Sequence, residues 1–404
     1  MPQGFRRSFV VAAGLFSGLA LLALVLASLG RVPPAAALAN VPSTWTVHTV
    51  DATTAGTGES MVLDTGDRPH VSYFQEAPVA LQYAVLSGTT WITQVVDASA
   101  DVVGESSLRL DSTGRPHIAY FDILSSAFRI KYATLAGSVW ITTTVEPASP
   151  DGYSRPSLVL DALDRPHLAY IRNSNLALMH AYLSGTTWVK EIAAPAGVSV
   201  LPTDMPISYP ALVISGQSPR IAYEFTGPDP ISVAIPAYQL HYAAFSGTQW
   251  ITTVVDDSAD APYVALALDP LGRPTIAYAD YGEDTPYYQL RYTWLSGTSW
   301  ISEAIEPFEA GEYVSLIFDP DGIPHVGYVQ GFGARYAYKP GAAWLKQSVT
   351  TTRTVIGYAS LGIDSAGDPH MAYYAQPLLS AERALEYAFV RTRRLYLPLV
   401  LKNG

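Results

Sequence analysis

One short phrase returns throughout the chain and constrains its fold more than any other feature. It is spelled most fully as Asp111-Ser112-Thr113-Gly114-Arg115-Pro116-His117-Ile118-Ala119-Tyr120. Apolar residues before it (Leu108, Leu110) and alternating ones after it (Ile118, Tyr120) read as strands, and the Asp, Gly and Pro between them are turn residues. Gly supplies a positive φ without steric cost, and Pro is tolerated at the first residue of a returning strand, so the phrase is a β-hairpin. The copies hold the spacing constant: Asp64 and Pro69, Asp111 and Pro116, Asp161 and Pro166, Asp269 and Pro274, Asp319 and Pro324, Asp364 and Pro369. A degenerate copy has Ser215 and Pro219. A fixed turn length is what a fixed strand register requires.

A second phrase, Tyr83-Ala84-Val85-Leu86-Ser87-Gly88-Thr89-Thr90-Trp91-Ile92-Thr93, alternates with the first. Its Trp recurs at Trp45, Trp91, Trp140, Trp188, Trp250, Trp300 and Trp344, so repeats start near 45, 91, 140, 188, 250, 300 and 344. Each unit holds two hairpins, hence four short strands. Period, strand count and copy number together predict an all-β, seven-bladed β-propeller with four antiparallel strands per blade. In the second unit the strands fall at 107–111, 117–121, 129–135 and 140–145. The segment 45–50 precedes the first full set and the last repeat ends after its third strand near Val390, so the N-terminal strand is expected to close the last blade.

Three segments follow: a leader at 1–39, the propeller at 40–394 and an apolar tail at 395–404. The leader has a basic start (Arg6, Arg7), an apolar run over 9–29 and a small-x-small site, Ala37-Leu38-Ala39, which predicts an export signal and a secreted or cell-surface protein. Any membrane contact would come only through an uncleaved leader or the tail, which reads either as a surface-sorting element or as a strap on the propeller. The absence of cysteine removes disulfides, thiolate metal sites and Cys nucleophiles, and the net charge of −11 argues against nucleic acid or an anionic membrane as partner. A closed propeller of this kind is expected to be a monomer.

The Gly88-Thr89-Thr90-Trp91 end of the second phrase resembles the Gly-x-x-Trp end of the Asp-box (BNR) hairpin of sialidase-like propellers. The likeness departs at the Asp, whose position holds Leu86, Leu135, Leu183, Phe245, Leu295 and Lys339. The Arg-Pro-His-Ile-Ala-Tyr core is also similar to secreted bacterial propellers and, more distantly, to fucose-lectin propellers. The resemblance spans about residues 45–391 and implies a fold and a carbohydrate context rather than an activity.

Candidate site residues come from register. Six residues before the phrase's Asp, at the start of each innermost strand, stand Gly58, Glu105, Arg155, Tyr209, Tyr263, Tyr313 and Tyr358. Four tyrosines in an arc with Glu105 and Arg155 beside them suit a sugar, whose C–H faces stack on rings and whose hydroxyls take charged partners. Asp122, Arg172 and Asp280, at second-strand ends, are expected at the same mouth. The loops between blades are acidic (Asp97, Asp101, Glu146, Asp151, Asp204, Asp256, Asp257, Asp260, Glu306, Glu309, Glu312), which reads as a solvated rim or as a place for calcium; no other cofactor is implied. The repeated histidines (His70, His117, His167, His325, His370) spread around a ring instead of converging, so they are expected to be structural, with a hydrogen bond across blades. No Gly-x-Ser-x-Gly elbow, phosphate loop or His-Glu-x-x-His occurs, and no catalytic residue is assigned. The leading reading is a non-enzymatic binding module for a glycan or an extracellular protein. The alternatives are a cell-envelope structural or interaction protein and a sialidase-like glycoside hydrolase.

Overall fold

The computed structural model describes residues 44–52, 58–99, 102–124, 126–195, 209–228, 236–280, 288–350, 353–377 and 383–391. The expected leader and tail lie outside them. The chain folds as seven four-stranded antiparallel sheets, and no helix occurs among the described residues. Blades I to VI cover 60–97, 102–149, 157–194, 211–256, 264–306 and 310–348 in chain order. Blade VII takes its three inner strands from 353–389 and its outermost from Thr46–Asp51, which pairs antiparallel with Ala384–Phe389. The seventh sheet is therefore closed by the N-terminal strand, as the sequence predicts.

The two phrases have separate jobs. The third and fourth strands join through a two-residue turn whose first residue is glycine at φ +65° (Gly88), +64° (Gly137), +63° (Gly185) or +64° (Gly297). That is the position at which a type II′ hairpin turn requires glycine. The tryptophan just after the turn reaches into the preceding blade. Each of the seven meets the aromatic ring of that blade's third strand edge to face. The pairs are Trp91–Tyr387, Trp140–Tyr83, Trp188–Tyr132, Trp250–His180, Trp300–Tyr242, Trp344–Tyr292 and Trp45–Tyr336, with centroids 5.2–5.5 Å apart. Such a pair contributes about 0.5–1.5 kcal/mol beyond its buried area.

The first phrase locks each turn between the first and second strands. Asp111 Oδ1 accepts the backbone N–H groups of Thr113 and Arg115 at 2.9 Å, while Oδ2 takes Arg115 Nε at 2.7 Å and faces His117 Nε2 at 3.4 Å. The other imidazole nitrogen, Nδ1, bonds the Tyr132 hydroxyl, the ring that carries Trp188. The same Asp–His–Tyr relay recurs at His70, His325 and His370. In blade III, His180 replaces the Tyr, 3.0 Å from His167. The histidines thus hydrogen-bond within their own blade, not across blades as expected; the tyrosine and tryptophan carry the link onward.

Seven apolar clusters fill the spaces between blades, such as Ile130, Tyr132 and Val145 of blade II against Leu158, Leu168 and Tyr170 of blade III. Toward the axis, serines tie one innermost strand to the next. Ser360 Oγ accepts Met61 N at 2.9 Å, Ser60 accepts Leu108 N, Ser107 accepts Leu158 N, and Ser157 accepts Leu212 N, the last three at 3.1 Å. These bonds satisfy backbone donors that no neighbouring strand pairs.

Candidate functional site

The innermost strands of all seven blades surround a central cavity of about 500 Å³. Its lining differs from blade to blade. Blades I to III bring Glu59, Arg109 and Arg155; blades IV to VI bring Tyr209, Tyr263 and Tyr313. The turn Asp, or Ser215 in blade IV, gives a common reference in each blade, and the same six-residue count back from it reaches Glu105, Arg155, Tyr209, Tyr263 and Tyr313.

The tyrosines form a wall. Tyr209 stacks on Tyr263 at 5.4 Å, their backbones joined by an isolated parallel bridge, and Tyr263 lies 4.8 Å from Tyr313. All three are half-buried. The Tyr263 hydroxyl bonds that of Tyr313, and the Tyr209 hydroxyl bonds Glu105. Tyr313 holds φ at +52°, a left-handed conformation unusual for a bulky residue and most often retained at functional positions. The arc therefore shares its ring faces internally while lining the cavity, between the two extremes of free platforms and mere packing. The side chain of Tyr358 lies outside the described residues.

The opposite sector is charged. Burial raises the Glu105 carboxyl above its usual range against Arg155 and Tyr209. Arg155 donates to the Ser106 carbonyl at 2.8 Å. Glu59, which register reading passed over, is wholly buried, and neither of its carboxyl oxygens has a hydrogen-bond partner. Burial first, and Glu105 to a lesser extent, push its pKa up to about 8 despite its own backbone amide and Arg155. It is a neutral acid at pH 7. The missed signal was present in the sequence: five residues before the turn Asp the blades read Glu59, Ser106, Pro156, Pro210, Val264, Val314 and Ala359, with one carboxylate among them.

Asp122, Arg172 and Asp280 do not line the cavity. Asp122 is buried beneath Arg129, whose Nε donates at 2.8 Å, with Lys131 at 3.5 Å. Arg172 pairs with Glu146 at 3.7 Å, and Asp280 with Arg291 at 3.6 Å. Each belongs to a seam between blades. There the second-strand tyrosine donates to an acid ending the previous blade's outer strand: Tyr73 to Asp51, Tyr120 to Asp97, Tyr170 to Glu146, Tyr278 to Asp256 and Tyr328 to Glu306. Second-strand ends point sideways into these seams, which is why the expectation of a shared mouth does not hold for their side chains. Asp97, Glu146, Asp256 and Glu306, expected on a solvated rim or around calcium, are engaged as latches. Asp101 and Asp204 lie outside the described residues. In the seam of blades IV and V, Glu224 bonds Asp260 carboxyl to carboxyl, and burial raises both. Burial, with Asp256 next, also raises Asp280 to about 6. Among the described residues no group of three or more His, Asp or Glu is placed to hold a metal ion.

No known family model matches the sequence, and no curated protein is detectably similar to it. Solved structures are similar in fold. A polysaccharide lyase described as an ulvan lyase bound to -[GlcA(1-4)Rha3S]- superposes with a TM-score of 0.57 at 11% identity, over 85% of this chain and 95% of that one. An α-L-arabinanase of Penicillium chrysogenum gives 0.50 at 11%, over 85% and 98%. A protein of unknown function from Dyadobacter fermentans gives 0.50 at 10%, over 87% and 99%. At these identities the likeness establishes the β-propeller fold.

Proposed function

We propose that the protein is an exported saccharide-binding β-propeller whose site is the central cavity at the mouth face. One observation carries the reading: a wall of three tyrosines from blades IV to VI shares one cavity with Glu59, Arg109 and Arg155 of blades I to III. Sugars present apolar C–H faces and polar rims, and this division of the mouth supplies a partner for each. That similar propellers include enzymes acting on polysaccharides accords with it.

The test is glycan-array binding by the purified protein, with calcium and with chelator. Saturable binding that is lost in Tyr263→Ala and Tyr313→Ala supports the reading, and the chelator arm reports whether calcium takes part. Binding that survives both substitutions removes the site from the cavity.

A second reading, a glycoside hydrolase or lyase, is favoured by Glu59 alone. A carboxylic acid kept protonated to about pH 8 is the form a general acid needs. Product analysis on bound glycans decides it: cleavage abolished in Glu59→Gln makes the protein an enzyme, and intact glycans leave it a binder.

A further inference from the structure

Two register positions around the axis carry one ionisable exception each. Five residues before the turn Asp it is Glu59. Two before, the blades read Val62, Arg109, Val159, Val213, Ala267, Ile317 and Gly362, and the exception is Arg109. Both line the cavity, and Arg155 stands at its rim.

Arg109 is poorly provided for. Its Nη1 donates to the carbonyl of Leu108 at 2.7 Å, and among the described residues it makes no ion pair with a carboxylate. Half-buried against the cavity, this guanidinium has no counter-ion among the described residues to offset the hydration it loses. Arg155 adds to the imbalance. Burial, and then Arg155, lower the Arg109 pKa to about 10, which still leaves it charged at neutral pH. What remains is a cavity whose lining offers the guanidiniums of Arg109 and Arg155 as positions for a ligand's acceptors. A hydroxyl would fill one such position without answering the charge. An anionic group would do both, through charge-assisted hydrogen bonds of the stronger kind.

We propose that the cavity takes an acidic saccharide, with a carboxylate or sulfate group seated on Arg109 and Arg155 and the sugar ring against Tyr209, Tyr263 and Tyr313. This rests on the saccharide reading and adds the charge of the ligand to it.

Calorimetric titration of the full-length protein with three probes tests the inference: oligogalacturonate (carboxylate), a carrageenan oligosaccharide (sulfate) and an uncharged arabino-oligosaccharide. At least one acidic probe is expected to bind about tenfold or more tighter than the neutral one. The two acidic arms identify which anion the site takes, and the preference should weaken as salt rises. Arg109→Gln should abolish the preference for the acidic probes over the neutral one; Arg109→Lys, which keeps the charge, should retain part of it. Because Arg109 has no carboxylate partner to orphan, neither variant should lower the melting temperature, so loss of binding is not loss of fold. Equal affinity for acidic and neutral probes, or a preference that persists in Arg109→Gln, overturns the inference and leaves the saccharide reading standing. Failure of all three probes and of the glycan array overturns both.

Discussion

The two ends of the propeller differ in what they repeat. At the turn end, blades I, II, VI and VII present the same relay, Asp to His to Tyr and on to the next blade's Trp, and the Trp contact recurs in all seven. At the mouth end, equivalent positions hold Glu105, Arg155, Tyr209, Tyr263 and Tyr313 in succession. A closed ring needs seven equal seams, so what serves stability has reason to repeat. Divergence at one end, where half-buried tyrosines and buried ionisable groups share a cavity, has no such structural reason. The turn end is where the fold is held, and the mouth is where the proposed site lies.

The largest effect that tests this division comes from the closing strand. Deleting residues 44–51 strips the outer strand from blade VII and removes the Trp45–Tyr336 contact and the Tyr73–Asp51 bond. It leaves Ala384–Phe389 as an open edge. Loss of cooperative thermal unfolding is expected by circular dichroism or calorimetry. An unchanged melting curve would mean that closure contributes nothing.

Next in size is a change at the mouth that should stabilise. The Glu59 pKa is about 8 when folded against 4.5 for the free side chain. Between those values the folded state binds more protons than the unfolded one, so stability falls as pH rises through this window. Glu59→Gln removes the titration. Its melting temperature should match wild type near pH 5 and exceed it by pH 9, by an amount on the order of a few kcal/mol in stability. Parallel curves across that range would show that Glu59 is not held in its acid form.

The turn end should answer in the opposite sense. His117→Ala leaves Asp111 and the Tyr132 hydroxyl without a shared partner in a buried setting, at a cost of about 1–3 kcal/mol in chemical denaturation. It should leave glycan binding untouched. Burial lowers the folded pKa of His70, His117, His325 and His370 below the free value of 6.5. The unfolded chain then takes up protons that the folded one refuses, so stability is full above pH 6.5 and declines as pH drops below it. Asp64, whose pKa is about 2 against 3.8 because bonds from Arg68 and Gly66 outweigh burial, adds its own loss only below 3.8. Acid melting that begins only near pH 4 would remove the histidines from the account.

The same contrast explains what the sequence could disclose. Trp91 and its counterparts, and the constant Asp-to-Pro spacing, declare the blade because a ring of sheets forces the pattern to recur. Tyr209, Tyr263, Tyr313, Glu105 and Arg155 could be gathered by offset alone, counting back from the turn. Asp122, Arg172 and Asp280 could not be placed that way. An offset says how far along a strand a residue sits and not whether it faces the axis or a neighbouring blade. Glu59 and Arg109 were visible only as exceptions within apolar or small columns. Their chemistry comes from burial, which no spacing reveals.

The smallest effect separates two glycines that the repeat makes equivalent. Gly114 and Gly322 both hold φ at +81° in the turns between first and second strands. A Cβ on Gly114 would meet nothing within 4 Å, so Gly114→Ala should cost only the left-handed conformation, roughly 1–2 kcal/mol. On Gly322 the Cβ would come 2.7 Å from Cγ of Pro270, in the turn of the preceding blade. Gly322→Ala must strain the backbone and also push one turn off the next, so it should be the more destabilising of the pair in urea. The comparison isolates contact between turns from the conformation of a single one. If the two substitutions cost the same, blade V and blade VI do not press on each other at this end, and the locking assigned to the turns resides in the tryptophan contacts alone.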